Sequence, residues 1–364
     1  MKGITFGDVH SYNDLHLILS SKEIGSPAVK TRKIEVEGAD GALDLTDFFG
    51  EPKYEDVQHK FEFSTVVPKA EFLSLFSTIK NTLHGKKMRI ILDDDPLFYY
   101  LGRVSVSGFT NDKNIGHVSI TADCEPYKYK VEKTRQFVSL SGKNLFDNQM
   151  LVPLLRAAAN YSSTDTGVQI TTEREGRYPY VMFKILPSAM LSGKTITISF
   201  TVNSEATDRY IVVLGLSDNT GHVFRKIKET SSENNVTIDI PHWITEQYEN
   251  VVVWFYSGKD VEAPVDSYVV YTDIQIEISD TATEYVPFES EEKTFAISVQ
   301  NSRKKVVPQI MASRPIIISK DGSTSALAAE TVYTIPEFEL SEGDNLFTVT
   351  GTGAVSITYQ EGVL

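Results

Sequence analysis

The stretch KTITISFTV at residues 194–202 decides the fold class of this chain. Its apolar side chains fall on every second residue, at Ile196, Ile198, Phe200 and Val202, with threonine or serine between them. Because successive side chains of a β-strand point to opposite faces of a sheet, the pattern predicts a strand with one buried face and one polar face. A helix would instead repeat its apolar positions every three or four residues.

Similar stretches surround this strand and are separated by turns rich in Gly, Asn, Asp and Ser. They are RYIVVLGL (209–216), HVFRKIK (222–228), NVTIDI (235–240), NVVVWFY (250–256) and SYVVYTDIQIEI (267–278). About seven short strands with little helix predict a β-sandwich.

Charge separates this segment from the rest of the 364-residue chain. Residues 143–291 hold 11 basic and 21 acidic residues, a net charge of −10. Residues 1–137 (18 basic, 20 acidic) and residues 292–364 (6 basic, 8 acidic) each carry only −2. Such a step in composition indicates that 143–291 is a separate module.

The segment before the module is also mostly strand, with one exception. Its alternating stretches are HLILSS (16–21), RKIEVEG (32–38), HKFEFSTVV (59–67), MRIILDD (88–94), YYLGRVSVSG (99–108) and HVSITADCEP (117–126). In PKAEFLSLFSTIKNTLHG (68–85), apolar residues recur at intervals of three and four, Pro68 suits the first turn and Gly85 suits the end. This segment predicts an amphipathic helix of about four turns that covers one face of a sheet.

The segment after the module is all strand but short for an independent sandwich. Its strands are FAISVQN (295–301), VVPQIMAS (306–313), PIIISKDG (315–322), ETVYTI (330–335) and NLFTVTGTGAVSITYQ (345–360). The strand-like QFVSLSG (136–142), which precedes the module, would complete it. The sequence therefore predicts a module at 143–291 inserted into a C-terminal β-domain made of 136–142 and 292–364, after an N-terminal domain at 1–135.

Composition argues against several classes of protein. A net charge of −14 disfavours nucleic-acid binding through phosphate contacts, and a single cysteine, Cys124, allows no internal disulfide. Cys124 is expected to be a small packed residue.

No run of about 18 apolar residues occurs, and MKGITFGDVHSYNDLH lacks the basic-then-apolar pattern of a signal peptide, so we expect neither a membrane span nor a leader.

The sequence offers little support for catalysis or metal binding. It contains no Gly-rich phosphate loop, HExxH, GxSxG or EF-hand pattern. Asp8, His10, Asp14 and His16 have ligand chemistry, but a polar strand and turn is the favoured interpretation. Similarly, Asp93–Asp95 before Pro96 favours a solvated hairpin turn over a calcium or magnesium site. We therefore expect no catalytic residues, no metal and no cofactor.

Aromatic side chains in the module are the better candidates for binding, because sugar rings stack on flat aromatic faces while polar groups bind the hydroxyls. In RYPYVMFKI, the side chains of Val181, Phe183 and Ile185 share one face, which leaves Tyr178, Tyr180 and Lys184 on the other. Trp243 lies in a turn-rich stretch, and Trp254 lies in a strand apolar on both faces, where a core position is favoured. The candidate carbohydrate-binding residues are Arg174, Tyr178, Tyr180, Trp243 and Trp254.

An ordered series of motifs in the first 130 residues resembles the distal tail (Dit) family of long-tailed, siphophage-type bacteriophages. The series runs FG (6–7), TRKIEVEGADGALDLTDFFGEPKYED (31–56), KFEFS (60–64), the helix, LHGKKMRIILDDDPLFYYLGRVSV (83–106) and EPYKY (125–129). GADGALDLT (38–46), the following Tyr54, HGKK and the acidic turn before FYYLGRV are especially close. One departure is that Gln58 and His59 stand where relatives often carry a basic residue.

The rest of the chain resembles the same family in its longer, "evolved" form. FAISVQNSRKKVVPQIMAS (295–313) followed by PIIISKDG (315–322) is similar to the family's galectin-like C-terminal sandwich. KNLFDNQ (143–149) and TATEYVPFES (281–290) flank a module that resembles the carbohydrate-binding-module-like insertions of phage tail proteins.

The resemblance implies a structural, non-enzymatic protein of the virion, made in the host cytoplasm and located at the tail tip or baseplate. It implies a homohexameric ring, built from the N-terminal domains, that joins the tail tube protein to a tip protein or tail-associated lysin. A receptor-binding protein is a further partner, and the insert would face host cell-wall polysaccharide. No nucleic acid, membrane or cofactor is implied.

Two alternatives to a saccharide-binding insert stay open at the level of sequence. The insert could be a spacer or a docking site for another tail protein. More remotely, it could be a polysaccharide depolymerase, although no pair of acidic residues can be argued from the sequence.

Overall fold

A computed structural model describes residues 3–48, 50–65, 67–112, 115–147, 150–153, 159–173, 180–204, 210–217, 220–228, 235–256, 265–266 and 268–364. The chain is mainly β, as the alternation predicts, with its buried residues gathered into three large hydrophobic cores. No helix within the described ranges is long and apolar enough to span a membrane.

The N-terminal segment forms one eight-stranded antiparallel sheet. Its strands are β1 (Ile4–Phe6), β2 (Val9–His10), β3 (Ile18–Glu23), β6 (Val57–Thr65), β7 (Lys87–Leu92), β8 (Asp95–Asp112), β9 (Ile115–Lys130) and the distant β28 (Gly362–Val363). The order is β2-β1-β7-β8-β9-β6-β3, with β28 paired to β9. Strand β3 is therefore at an edge of the sheet.

This sheet curls around its own core. Phe6 in β1 and Phe61 in β6 are separated by four strand spacings, which is roughly 19 Å in a flat sheet. Their ring centroids nevertheless lie 6.0 Å apart in an edge-to-face contact. Both rings are almost completely buried, so the two ends of the sheet close on one hydrophobic core.

The predicted helix is present as α1 (Phe72–Leu83), preceded by a 3-10 turn at Lys69–Glu71. Its buried side chains pack on the core of the sheet, and Phe76 stacks on Phe109 of β8 with centroids 5.2 Å apart. The helix ends before Gly85, whose φ of +79° lies in the left-handed region that glycine adopts without a steric penalty.

Residues 28–55 form a second, smaller feature that we call the arm. It contains the two-stranded hairpin of β4 (Lys33–Glu35) and β5 (Ala42–Asp44), and every residue from 28 to 44 is exposed. At the base of the arm, Val29 and Tyr54 form an isolated β-bridge. The arm therefore projects from the N-terminal sheet and buries almost none of its own surface.

The middle of the chain forms two five-stranded antiparallel sheets. The first has the order β11-β14-β19-β16-β17: β11 (Leu151–Pro153), β14 (Tyr180–Pro187), β19 (Asn250–Tyr256), β16 (Tyr210–Ser217) and β17 (Thr220–Lys228). The second has the order β12-β13-β20-β15-β18: β12 (Ala159–Ser163), β13 (Val168–Thr172), β20 (Tyr268–Glu277), β15 (Thr195–Ser204) and β18 (Asn235–Asp239). Short helices α2 (Ser188–Leu191) and α3 (Ile244–Gln247) lie between strands.

One core lies between these two sheets. Ile196, Ile198 and Phe200 of β15 are buried in it, and Val202 packs against it, as the alternation in KTITISFTV predicts. We call this part of the molecule the middle sandwich.

The final part of the chain forms two four-stranded sheets around the third core, which we call the C-terminal sandwich. One sheet has the order β10-β27-β22-β25: β10 (Thr134–Ser139), β27 (Ala354–Tyr359), β22 (Gln309–Ala312) and β25 (Val332–Thr334). The other has the order β21-β26-β23-β24: β21 (Lys293–Asn301), β26 (Gly343–Gly351), β23 (Ile316–Lys320) and β24 (Ser323–Leu327). A 3-10 turn at Pro336–Phe338 buries Phe338 in this core. The domain boundaries at 135/136, 142/143 and 291/292 stay predictions.

The C-terminal sandwich is joined to the N-terminal sheet by β28 and by a cluster of polar groups. Glu361, which is 8% exposed, accepts hydrogen bonds from Lys130 Nζ (2.7 Å), Ser302 Oγ (2.5 Å) and Thr134 Oγ1. Nearby, Arg303 donates to the Tyr54 hydroxyl at the base of the arm (2.8 Å).

Ion pairs connect the middle and C-terminal sandwiches. Arg314 binds Asp147 at 2.5 Å and lies over the ring of Phe288, 4.9 Å from its centroid. Lys184 of β14 binds Glu330. A cavity of about 120 Å³ lies between these pairs.

Candidate functional site

The first sheet of the middle sandwich presents aromatic side chains on the face opposite its core. Along β19, Val251, Val253 and Phe255 enter the core, so Val252, Trp254 and Tyr256 point the other way. Strand β14 alternates in the same manner, with Tyr180, Met182 and Lys184 on the outer face. The cross-strand register places Tyr180 opposite Tyr256 and Met182 opposite Trp254.

Three of these rings form a compact group that we call the aromatic cluster: Tyr180, Trp254 and Tyr256. Tyr180 stacks on Trp254 with centroids 4.6 Å apart and an interplanar angle of 24°. The centroid of Tyr256 lies 4.9 Å from that of Tyr180 at a tilt of 35°. Tyr256 is buried, whereas Tyr180 and Trp254 are half-buried. The exposed parts of Tyr180 and Trp254 are therefore the surface that a ligand could contact.

The indole of Trp254 has one unusual property. Its Nε1 atom is buried and has no hydrogen-bond acceptor among the described residues. Leaving such a donor unpaired costs about 1–3 kcal/mol. A stable fold tolerates few unpaired donors of this kind, and this one lies on the face of the sheet that carries the aromatic cluster.

The structure brings together two of the five residues that the sequence analysis selected. Tyr180 and Trp254 are in direct contact, and the core position favoured for Trp254 is replaced by a half-buried position on the outer face. Trp243 is 37% exposed, but it lies immediately before α3 and therefore before β19 in the chain. Its ring contacts that of Tyr248 edge-on. Arg174 and Tyr178 lie outside the described residues.

Tyr256 belongs to the cluster but was not among the selected residues. Its position could have been found from the alternation in NVVVWFY, which places it two residues after Trp254 on the same face of β19. Lys184 is the cation nearest in sequence to the cluster on β14, and it is already ion-paired with Glu330.

The N-terminal residues considered as metal ligands serve local structure. Asp14 Oδ2 accepts a hydrogen bond from the His10 amide (2.7 Å), and His10 Nε2 lies 3.2 Å from Asp93 Oδ2. Across the described part of the chain, no three His, Cys, Asp or Glu side chains are grouped as a metal site.

The acidic run before Pro96 forms the turn between β7 and β8, as the sequence predicts. Asp93 accepts a hydrogen bond from the Gly3 amide (2.6 Å), Asp94 pairs with Lys22, and Asp95 pairs with Lys128 at 2.8 Å. Each carboxylate therefore has a structural contact.

Cys124 is completely buried in the N-terminal core. Burial raises the pKa of its thiol to about 12, and neighbouring carboxylates add to this effect. Because the thiolate is the reactive form of cysteine, Cys124 is an inert packing residue at neutral pH.

Comparison with known proteins gives a weak structural likeness. No protein-family model matches the chain, and no curated protein matches it. Among solved structures, the chain is similar to that of SPP1 Dit (gp 19.1), described as a paradigm of the hub adsorption apparatus in phages that infect Gram-positive bacteria. The match has 13% identity and a TM-score of 0.33, and covers 76% of this chain and 99% of that chain. Values this low assign neither a function nor a common fold.

Proposed function

We propose that this protein is a structural subunit of a phage tail hub that assembles as a ring of six copies. In this proposal, residues 1–135 form the ring and contact the tail tube protein and a tip protein or lysin. Residues 136–142 and 292–364 form a C-terminal domain that projects outward and carries residues 143–291 as an insert. The protein acts in the virion, at the tip of the tail, without catalysis.

The arm is the observation that carries this proposal. The motif GADGALDLT, which is especially close to the distal tail family, forms the turn and second strand of its exposed hairpin. Five apolar side chains on the arm are well exposed: Val29 (42%), Ile34 (44%), Val36 (48%), Leu43 (53%) and Phe48 (71%). An extended hairpin with this much exposed apolar surface is typical of an element that another chain covers.

The N-terminal sheet also offers an edge for self-association. Strand β3 has a neighbour on only one side, and its last four residues are exposed. An edge strand and a projecting arm on one domain suit a head-to-tail contact between copies, and such contacts close into a ring when the rotation allows it.

The first test is the mass of the full-length protein in solution, combined with negative-stain imaging. Six copies of 40.6 kDa give 243.6 kDa. If the arm forms the contact, Leu43→Asp should shift the protein to monomers, because a buried carboxylate would be left without a partner. The matched control is Ile317→Asp in the C-terminal sandwich, since Ile317 is also 53% exposed. A ring that persists in Leu43→Asp would argue against the arm as the contact.

We further propose that the insert binds host cell-wall saccharide through the aromatic cluster. Half-buried tyrosine and tryptophan rings on the outer face of a sandwich are suited to stack on the apolar face of a sugar ring. Six such sites on one ring would gain avidity of about 10² to 10⁴ where the geometry permits, so a weak single site would suffice. The net charge of −10 in the insert favours a neutral polysaccharide at this face.

The matched variants for this site are Trp254→Ala and Trp243→Ala in the full-length chain. Trp254→Ala removes one of the two half-buried rings of the cluster and should abolish adhesion to isolated wall polysaccharide. Trp243→Ala, which changes an indole away from the cluster, should leave adhesion intact. Circular dichroism of each variant checks that the sandwich still folds.

The outcome also decides between the proposal and its alternatives. Equal adhesion by both variants would favour a spacer or docking role for the insert. Release of reducing ends from the polysaccharide would instead indicate a depolymerase.

A further inference from the structure

A cleft lies where the middle sandwich meets the C-terminal sandwich, apart from the aromatic cluster. Its volume is about 440 Å³, which is within the size range of small-molecule sites. Phe137 and Ser139 of β10 line one side, and Lys194, Glu277 and Thr283 of the middle sandwich line the other.

One cation that lines this cleft, Lys194, has no carboxylate partner among the described residues, and a second cation, Arg135, lies beside it but outside the residues that line the cleft. Lys194 lines the cleft, and its Nζ lies 5.6 Å from the ring centroid of Phe137. Arg135, two residues before Phe137 on β10, has one hydrogen bond, a long contact of 3.5 Å from Nη1 to the carbonyl oxygen of Ser192. In the described part of the chain neither cation has an ion-pair partner, although most of the lysines and arginines around this junction do.

The pKa values of Lys194 and Arg135 are both lowered in this environment. Burial lowers the pKa of Lys194, and the nearby positive charge of Arg135 lowers it further. Burial also lowers the pKa of Arg135. Two half-buried like charges cost free energy unless an anion lies between them.

The carboxylate of the cleft does not supply that anion. Glu277 is 1% exposed, and its oxygens accept hydrogen bonds from Gln275 Nε2 (3.0 Å) and from the amide of Thr283 (2.9 Å). Lys143 Nζ lies 3.7 Å from the same carboxylate and balances its charge. The charges of Lys194 and Arg135 therefore remain uncompensated.

A polar group without a partner lies at the same place. Ser139 Oγ is buried in the wall of the cleft, and it has no hydrogen-bond partner among the described residues. Threonine and serine residues, Thr283 and Ser279, line the opposite side. The Thr283 and Ser279 hydroxyls are already hydrogen-bonded to Glu277 and to Thr281, so the Ser139 hydroxyl is the one left for a ligand among the described residues. An unpaired lysine beside such a hydroxyl is suited to an anion that also carries hydroxyl groups.

We propose that this cleft binds a phosphate ester of a small polyol or sugar, with the phosphate on Lys194 at the side of the cleft nearest Arg135. An arginine fork matches the tetrahedral oxygens of a phosphate, and a lysine adds a point charge. The volume exceeds what a bare phosphate fills, so the ester group occupies the part lined by Ser139. The inference is independent of the ring and of the aromatic cluster.

The test measures binding of glycerol phosphate to the full-length protein by calorimetry and by ³¹P line broadening, at constant ionic strength. We expect binding to the wild type and at least tenfold weaker binding to Lys194→Met and to Arg135→Gln. The control, Lys60→Met, changes a lysine that pairs with Glu62 in the N-terminal sheet (2.9 Å) and should bind like the wild type. Equal affinities of the wild type and Lys194→Met would overturn the proposal.

Binding of further ligands identifies the chemical class of the natural ligand and whether it comes from a wall polymer or from a free metabolite. Poly(glycerol phosphate) that binds as the monoester does would identify a wall polymer as the source, whereas binding of the monoester alone would identify a free metabolite. Preference for glucuronate over glycerol phosphate would overturn the assignment to phosphate.

The variants are expected to fold, because removing one of two adjacent like charges relieves repulsion. Without ligand, Lys194→Met should unfold at a temperature no lower than that of the wild type. A measurement on the wild type alone gives a second check. Glycerol phosphate should raise its unfolding temperature more than sodium chloride of equal ionic strength, and an equal effect of the two would count against the site.

Discussion

His59 lies in β6 with 1% of its surface exposed, next to the ring of Tyr100 at a centroid distance of 4.3 Å. Its Nδ1 accepts a hydrogen bond from the Gly25 amide (3.2 Å), and its Nε2 is buried without a partner among the described residues. Burial lowers the pKa of His59 below its usual value of about 6.5, because the charged imidazolium would lose its hydration. Protonation therefore opposes folding here.

This property predicts a pH dependence of the N-terminal sheet. The unfolded chain binds a proton at His59 more readily than the folded chain, so the contribution to stability is complete above about pH 6.5. It is lost as the pH falls below that value, by up to about 1.4 kcal/mol per pH unit. Hydrogen exchange of the β6 amides, corrected for intrinsic rates, should show this slope in the wild type.

Substitution identifies the group responsible. His59→Gln should flatten the slope, whereas His117→Gln, which changes an exposed histidine on the neighbouring strand β9, should preserve it. An unchanged slope in His59→Gln would assign the effect to another group.

At the scale of elements, β28 is a two-residue strand whose attachment depends on a carboxylate beside it. Burial alone would raise the pKa of Glu361, but hydrogen bonds from Lys130, Ser302 and Thr134 outweigh it and lower the pKa below its usual range. The stability that this carboxylate provides is therefore present at neutral pH. It is lost as the pH falls from the usual glutamate value through the lowered pKa.

Glu361→Gln should loosen the junction between β28 and β9. The substitution keeps the shape of the side chain but removes the charge that strengthens the hydrogen bonds from Lys130, Ser302 and Thr134. Hydrogen exchange at Tyr129, Lys130 and Val363 should accelerate. Glu342→Gln removes an exposed carboxylate that pairs with Arg303 at 3.2 Å, and it should change these rates little. Equal protection in both variants would contradict the role of Glu361.

Local sequence patterns predicted individual elements well. Alternation identified β15, and spacings of three and four identified α1, because each pattern depends only on neighbours along the chain. Alternation also placed Tyr180 and Lys184 opposite the core residues Val181, Phe183 and Ile185.

Contacts between distant residues could not be predicted in this way. The closure of the sheet through Phe6 and Phe61 and the pairing of β28 with β9 depend on tertiary packing, which single-strand patterns do not encode. At the candidate site, Trp243 was selected because it lies in a turn-rich stretch, whereas a core position was favoured for Trp254. Only the fold shows that Trp254 stacks on Tyr180 on the outer face, while the ring of Trp243 contacts Tyr248 instead.

For the whole molecule, the charge distribution separates residues 143–291 from the rest of the chain, but the ion pairs do not. The charge step isolates residues 143–291, yet the ion pairs of Arg314 with Asp147 and of Lys184 with Glu330 tie this part to the C-terminal sandwich. The cleft lined by Phe137 and Lys194 lies at the same junction. A ligand bound there would therefore contact both sandwiches and reduce their relative motion.

The pairing of β28 with β9 has a consequence for the order in which the protein forms. Strand β6 covers β9 only as far as Cys124, and β28 pairs with the remainder at Lys128 and Tyr129, more than 230 residues before it in the chain. Ribosomes add about 5–20 residues per second, so roughly 10 to 50 s separate the synthesis of the two strands. During that interval this part of β9 is an open sheet edge in the nascent chain. The N-terminal sheet must therefore remain soluble on the ribosome with an uncapped edge until the C-terminal sandwich docks.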